Sequence, residues 1–298
     1  MSLEKYKKNI FSQNGEDGII EEILNRLGEK SDKNSCEFGA WDGIHLSNCY
    51  NLILSKSFKG LFIEGDKKKF IDLKKNLETK NTILVNKYVT FEGQNSLDSI
   101  LEANNFNIDF DLLSIDIDGN DYHIFESLKK FKPKIIVIEF NPTIPNDVEF
   151  IQEKNDKINQ GSSALSILKL AKKKNYSLIC ATHCNLFFVE ETFKKIIIGD
   201  NFFSINDFVD DAKHKNYIFY GFDGTIFTSK KIALPKHNNL SPKINQIPKI
   251  FRVYPDNFGI LKKIFYMFYL FYLNPIKYTS NLKKYLKILK NFFLNKKF

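Results

Sequence analysis

Arginine is nearly missing from this chain of 298 residues: Arg26 and Arg252 are the only two, and lysine carries the remaining positive charge. The guanidinium fork is the preferred reader of phosphates and guanine edges, so its scarcity argues against sequence-specific DNA recognition. No G-x-G-x-x-G turn and no G-x-x-x-x-G-K are present, which argues against a dinucleotide or a nucleoside triphosphate held on a phosphate cradle. No uninterrupted apolar run reaches the roughly 20 residues that a membrane-crossing helix needs. The longest aromatic-rich one, Ile264–Leu273, has ten. The opening stretch, Met1 to Asp17, is polar and charged, unlike a secretory leader, so a cytoplasmic setting is expected. There are four cysteines, and Cys180-Ala-Thr-His183-Cys184 lacks a second ligand pair at zinc spacing, so buried reduced thiols are expected. No internal repeat is found.

The charge that is present is unevenly placed. Residues 241–298 carry twelve Lys and Arg against one acid, Asp256, which makes them +11 and leaves −2 on residues 1–240 of the formal +9. This composition shift divides the chain into a domain over 1–240 and a basic, aromatic-rich helical extension over 241–298. Within the first part, residues 16–28 read as a helix with Ile19, Ile20, Ile23, Leu24 and Leu27 on one face and Gly28 as its stop. Strand-like runs follow at 35–39, 60–64, 82–86, 112–116, 134–140, 176–181 and 185–190. Helix-like runs fall at 47–56, 67–79, 96–104, 121–130 and 163–174. The alternation predicts an α/β fold: a mostly parallel, Rossmann-like seven-stranded sheet with helices on both faces. The last two strands are too close in sequence for a crossover and must form an antiparallel hairpin. Residues 192–237 show turn signals and no strong period. Asn141–Ser162 is a long polar connection, read either as a lid over a substrate or as a plain surface loop.

Three strand ends hold most of the chemistry. Cys36–Gly43, Leu61–Asp66 and Leu112–Asp121 are apolar runs that finish in acid and glycine. In an open α/β sheet, ligands bind beyond the carboxyl ends of the strands, so these ends could line one crevice. Glycine allows close backbone approach, and carboxylates accept from ribose hydroxyls and favour a nearby cation. The combination suits a cationic nucleoside cofactor without phosphate. Glu64, at the end of the second strand, is placed to take both ribose hydroxyls. Asp116 and Glu139 close neighbouring strands and fit either one divalent cation, such as Mg, or a base. Asp118 and Asp121 suit turn formation and helix capping.

Taken in order, these pieces resemble the FkbM-like S-adenosylmethionine-dependent methyltransferases. The resemblance is carried by Phe11-Ser12-Gln13-x-Gly15-Glu16-Asp17, Glu37-Phe38-Gly39-Ala40-x-Asp42-Gly43, Ser47-Asn48-x-Tyr50, Gly60-x-Phe62-Ile63-Glu64, Ser114-Ile115-Asp116-x-Asp118-Gly119 and Ile138-Glu139. It continues through Gly161-Ser162-Ser163, Asn185-x-Phe187-Phe188-Val189 and Asp223-Gly224, and spans roughly residues 10–237. It implies that Gln13, Glu37, Gly39, Asp42, Gly43, Ser47, Asn48, Glu64, Asn86 and Asp116 surround the cofactor, S-adenosylmethionine. Asp116 or His123 would remove the acceptor's proton, with a metal at Asp116 and Glu139 as an option. The implied reaction is methylation of a hydroxyl, on a sugar of a bacterial surface glycan or its precursor. A non-catalytic glycan- or membrane-assembly partner, or a nucleic-acid methyltransferase, are the alternatives.

Residues 241–298 lie outside the resemblance. Ile264–Leu273 is flanked by Lys262, Lys263 and Lys277, and Leu282, Tyr285, Leu286, Leu289 and Phe293 follow at helical spacing. A basic amphipathic helix of this kind reads as a peripheral membrane element over 262–298, at the inner face of the membrane. Equally, it reads as a helix packed on its own domain or on a second subunit of a homo-oligomer.

Overall fold

The computed structural model describes residues 2–78, 81–241, 244, 246–279, 283, 286, 287 and 290. It divides into two compact units, 1–215 and 216–298. In the first, the elements run α1 (Glu16–Leu27), β1 (Asn34–Phe38), α2 (Tyr50–Ser55), β2 (Lys59–Ile63), α3 (Lys67–Leu77), β3 (Thr82–Val85), α4 (Leu97–Ala103) and β4 (Leu112–Ile115). There follow α5 (Asp121–Ser127), β5 (Ile135–Glu139), α6 (Ala164–Lys173), β6 (Tyr176–Ala181), β7 (Asn185–Glu190) and α7 (Glu191–Ile198). The predicted strands and helices are all present, with ends shifted by a few residues. Helix α7 was not predicted.

The strands form one sheet in the order β3-β2-β1-β4-β5-β7-β6. The first five are parallel, and β7 pairs antiparallel with both β5 and β6. This is the Rossmann-like sheet closed by an antiparallel hairpin. Strand order reverses between β1 and β4, which opens the crevice where such sheets take ligands.

Side chains alternate between two cores, one on each face. Cys36, Phe38, Leu61, Ile63, Leu113, Ile115, Ile136 and Ile138 pack against α4, α5 and α6. Phe62, Leu112, Ile135, Val137, Phe187 and Val189 pack against α1, α2, α3 and α7. Period two therefore turns Ser35 and Glu37 of β1 and Ser114 of β4 toward this second face, where they are buried polar residues. Helix starts are closed by local side chains: Asp66 accepts from the Lys68 and Lys69 N–H groups, Ser96 from Ser99, and Ser163 from Ser166.

At the opposite, amino-terminal edge of the sheet, Lys134 is buried with Asp111 at 2.8 Å and Asp32 at 3.4 Å. Asp111 also accepts from the Ser31 hydroxyl and the Lys33 N–H. This paired charge lies far along the strands from the crevice.

The second unit holds a hairpin, β8 (Ile218–Tyr220) and β9 (Ile226–Thr228), and helix α8 (Ile260–Leu273). The hairpin arises inside the segment without a clear period. Of the helical spacing predicted beyond residue 278, Leu282, Tyr285, Leu289 and Phe293 lie outside the described residues.

Candidate active site

The crevice floor is made where β1 and β4 end side by side. Gly39 leaves β1 with φ +74°, and a Cβ built there would fall 1.8 Å from the Asp116 carbonyl oxygen. Only glycine allows the two strand ends to approach this closely. Two residues on, Trp41 takes φ +49° and its N–H donates to Glu64 Oε2 at 2.8 Å. Glu64 Oε1 accepts from the Asp66 N–H at 2.7 Å. The three strand ends singled out by their acid and glycine residues therefore converge. Asn86 sits beside them, its side-chain amide donating to the Glu64 carbonyl at 2.8 Å. Asp42 holds the turn after Gly39 by accepting from the Ile44 and His45 N–H groups, and Gly43 packs against Leu73 and Leu77.

Glu37, Ser47 and Asn48 are placed beneath this floor. Glu37 accepts from the Ser47 hydroxyl at 2.5 Å and from the Asn48 and Cys49 N–H groups at 2.8 and 3.3 Å. The Asn48 amide donates to Ser114 Oγ at 3.0 Å. These groups are spent on one another and on the N-terminal end of α2. Burial pushes the Glu37 carboxyl up to about 7, against the lowering effect of its three donors. Their work here is to hold the 39–49 loop in position.

The segment bearing Gln13 is drawn to the far rim. Asp17 Oδ2 accepts from the Ile10, Phe11 and Ser12 N–H groups, each at 2.8 Å. Glu16 is fully buried and accepts from Thr182 Oγ1 at 2.6 Å, Asn185 Nδ2 at 3.1 Å and the Asn14 N–H at 2.6 Å. Asn14 and Gln13 thus lie against Cys184, in the turn between β6 and β7. Phe140, just past Glu139, donates its N–H to the Cys184 carbonyl at 2.8 Å.

Asp116 and Glu139 extend neighbouring strands just beyond the paired Ile115 and Ile138. Among the described residues no group of three His, Cys, Asp or Glu could hold a metal ion, so the expected Asp116–Glu139 cation site has no third such ligand there. The four cysteines are free and buried. Asp121 accepts from the Ile117 and Gly119 N–H groups and so closes the turn after β4, and burial pushes its carboxyl up to about 6. His123 lies in α5 with Nε2 2.9 Å from the Gln152 carbonyl. That nitrogen donates, since a carbonyl can only accept, and Nδ1 lies 3.8 Å from Glu126 Oε2.

Gln152 is the residue that sequence reasoning missed. It sits in the 141–163 connection, buried, and its side chain accepts from the Gln160 and Gly161 N–H groups. The same amide donates to Asn120 Oδ1 at 3.1 Å and the Ile158 carbonyl at 3.0 Å. The connection is therefore stapled to the turn after β4. A glutamine in a polar loop offers no sequence signal for this. Glu16 was read as part of a helix cap, and two of its partners, Thr182 and Asn185, lie more than 160 residues away.

The donor set suits a methyl-donating nucleoside. Each Glu64 oxygen accepts one backbone N–H and keeps a second lone pair that a ribose diol could use. Asp42, Glu64, Asp66, Asp116, Asp118 and Glu139 end or closely follow β1, β2, β4 and β5, and acid at these strand ends favours a sulfonium. The residues present fit such a group.

Comparison with known proteins gives one family: residues 48–178, less than half of the chain, match the Methyltransferase FkbM domain. The match begins after β1 and ends inside β6. A search of curated proteins finds no match. Among solved structures, a SAM dependent methyltransferase from Aquifex aeolicus is similar at 11% identity, covering 62% of this chain and 94% of that one, with a TM-score of 0.35. A precorrin-6y C5,15-methyltransferase from Geobacter metallireducens is similar at 13% identity, covering 61% and 90%, with a TM-score of 0.35. An S-adenosylmethionine-dependent methyltransferase from Clostridium acetobutylicum gives 10% identity, 57% and 89% coverage, and a TM-score of 0.36. At these scores the solved structures bear no part in the assignment.

Proposed function

We propose that this chain, which carries a methyltransferase FkbM domain over residues 48–178, methylates a hydroxyl of a sugar in a bacterial surface glycan or its precursor, with S-adenosylmethionine as methyl donor. The observation that carries the reading is the meeting of Gly39, Glu64 and Asp116 at the point where strand order reverses. The cofactor, when bound, supplies a methyl group already activated on a positively charged sulfur. The chain has three tasks. Glu64 holds the ribose through its remaining lone pairs, with the Trp41 and Asp66 N–H groups fixing the carboxylate's orientation. The Gly39 turn brings the β1 backbone to the edge of Asp116, so donor and acceptor meet at the same strand end. Asp116, or Glu139 beside it, takes the proton that the attacking hydroxyl must lose. A carboxylate there can take the proton of a hydroxyl acceptor, which is compatible with this target. The 141–163 connection is held against the turn after β4 by Gln152.

Calorimetry with S-adenosylmethionine and a transfer assay with labelled methyl on a panel of sugar acceptors test this. Glu64→Gln should weaken cofactor binding by roughly 10- to 100-fold, the worth of a charge-assisted hydrogen bond. Asp116→Asn and Glu139→Gln together should abolish transfer while cofactor binding persists. Undiminished affinity in Glu64→Gln would refute the cofactor placement. Methyl recovered only on nitrogen or carbon would refute the hydroxyl acceptor.

A further inference from the structure

Helix α8 carries an apolar stripe that is left exposed among the described residues. Its inward side is set by Ile264 and Met267, both buried, and by Tyr266 and Tyr269, whose rings meet Phe251 at 5.2 and 5.5 Å. Leu261, Phe265, Phe268 and Tyr272 follow one another at spacings of four, three and four, which places them on a single strip of the helix surface. They are 58%, 63%, 44% and 81% exposed. Ile276, beyond the helix end, is 94% exposed. Monomeric proteins rarely leave a contiguous aromatic strip in water without a use for it.

The charge that flanks the stripe in sequence selects the occupant. From Gly259 to Phe298 the chain has nine lysines and no acid. A second copy of the same face would set lysine against lysine. A nucleic-acid duplex would match the charge but has no use for an apolar strip, and a single strand could stack bases on the aromatic rings but would leave Leu261 and Ile276 in water. An anionic lipid surface matches both, because headgroups take the lysines and the acyl boundary takes the apolar side chains. The helix lies on such a surface rather than crossing it. Its 14 residues extend about 21 Å against a hydrocarbon core of about 30 Å, and no helix among the described residues is long and apolar enough to span.

We infer that the Leu261–Phe265–Phe268–Tyr272 stripe of α8, with the lysines that flank it in sequence, is a docking surface for anionic membrane. The inference rests on the second unit alone and stands whether or not the first is a sugar methyltransferase.

The test is co-sedimentation of the full chain with unilamellar vesicles, equimolar phosphatidylglycerol and phosphatidylcholine in one set and phosphatidylcholine alone in the other. The chain should sediment with the anionic set only, and binding should fall about tenfold or more between about 0.05 M and about 0.5 M salt. The double variant Phe265→Gln/Tyr272→Gln should lose on the order of 100-fold in partitioning with an unchanged melting temperature, because both side chains are mostly exposed in the free protein. Lys262→Glu/Lys263→Glu/Lys277→Glu should lose the anionic preference. Equal binding by the aromatic double variant would overturn the inference. So would tight binding of poly(U) RNA by a chain that ignores vesicles, or a parent dimer that the double variant dissolves while neither form binds lipid.

Discussion

Replacing Glu37 by glutamine should invert the order of stability of two proteins as pH changes. The carboxyl of Glu37 ionises near 4.5 in an unfolded chain and near 7 in the fold, because burial disfavours the charge more than Ser47, Asn48 and Cys49 favour it. Between those values the folded protein holds a proton that the unfolded chain has released. Stability from this group is therefore complete below 4.5, falls as pH rises, and levels off above 7. A shift of this size corresponds to about 3 kcal/mol between about pH 4 and about pH 8. Glutamine has no such dependence. It keeps one acceptor for the Asn48 N–H but turns an amide toward the Cys49 N–H, a loss of about 1 kcal/mol. Glu37→Gln should then be about 1 kcal/mol less stable than the parent at about pH 4 and about 2 kcal/mol more stable at about pH 8. Urea unfolding of both proteins across this range, read as the difference between them, cancels the other titrating groups. A difference that stays flat with pH refutes the reasoning.

Two further outcomes follow from the site's construction. Gly39→Ala should cost at least about 2 kcal/mol by denaturant unfolding and should lose cofactor binding in calorimetry, since its Cβ overlaps the Asp116 carbonyl and its φ is positive. Gln152→Ala leaves Asn120 Oδ1, the Ile158 carbonyl and the Gln160 and Gly161 N–H groups without the Gln152 side chain. It should cost about 3 kcal/mol and raise hydrogen exchange at residues 117–121 and 158–163 while β1 and β2 stay protected.

The strand layout was legible because each strand is a short apolar run ending in turn residues, and helical periods fill the gaps. The meeting of Gly39, Glu64 and Asp116 was legible for the same reason: acid and glycine stand at the ends of three parallel strands. The resemblance implied Glu37 at the cofactor, and its bonds to Ser47, Asn48 and Cys49 were not read, although β1 itself held the clue. Cys36 and Phe38 face one core, so Ser35 and Glu37 had to face the other, toward α2. Helix α7 follows β7 without a connecting loop, and its Ile196-Ile197-Ile198 run hides the period. The hairpin at 218–228 puts aromatic residues on exposed positions, so it has no buried alternation to detect. Gln152 and Glu16 act through partners set by the tertiary fold, and single-sequence patterns carry no trace of them.

Strand β7 enters the sheet last in sequence yet lies inside it, between β5 and β6. A growing chain that has emerged only as far as Lys173 has completed all the parallel strands, but the outer side of β5 still offers its N–H and C=O groups to any passing strand. Glu16 at that stage is a carboxylate without Thr182 or Asn185 to receive it. The head of the protein is thus finished only when its hairpin near residue 185 arrives, and the interval is the period in which a nascent copy is most exposed to pairing with its neighbours.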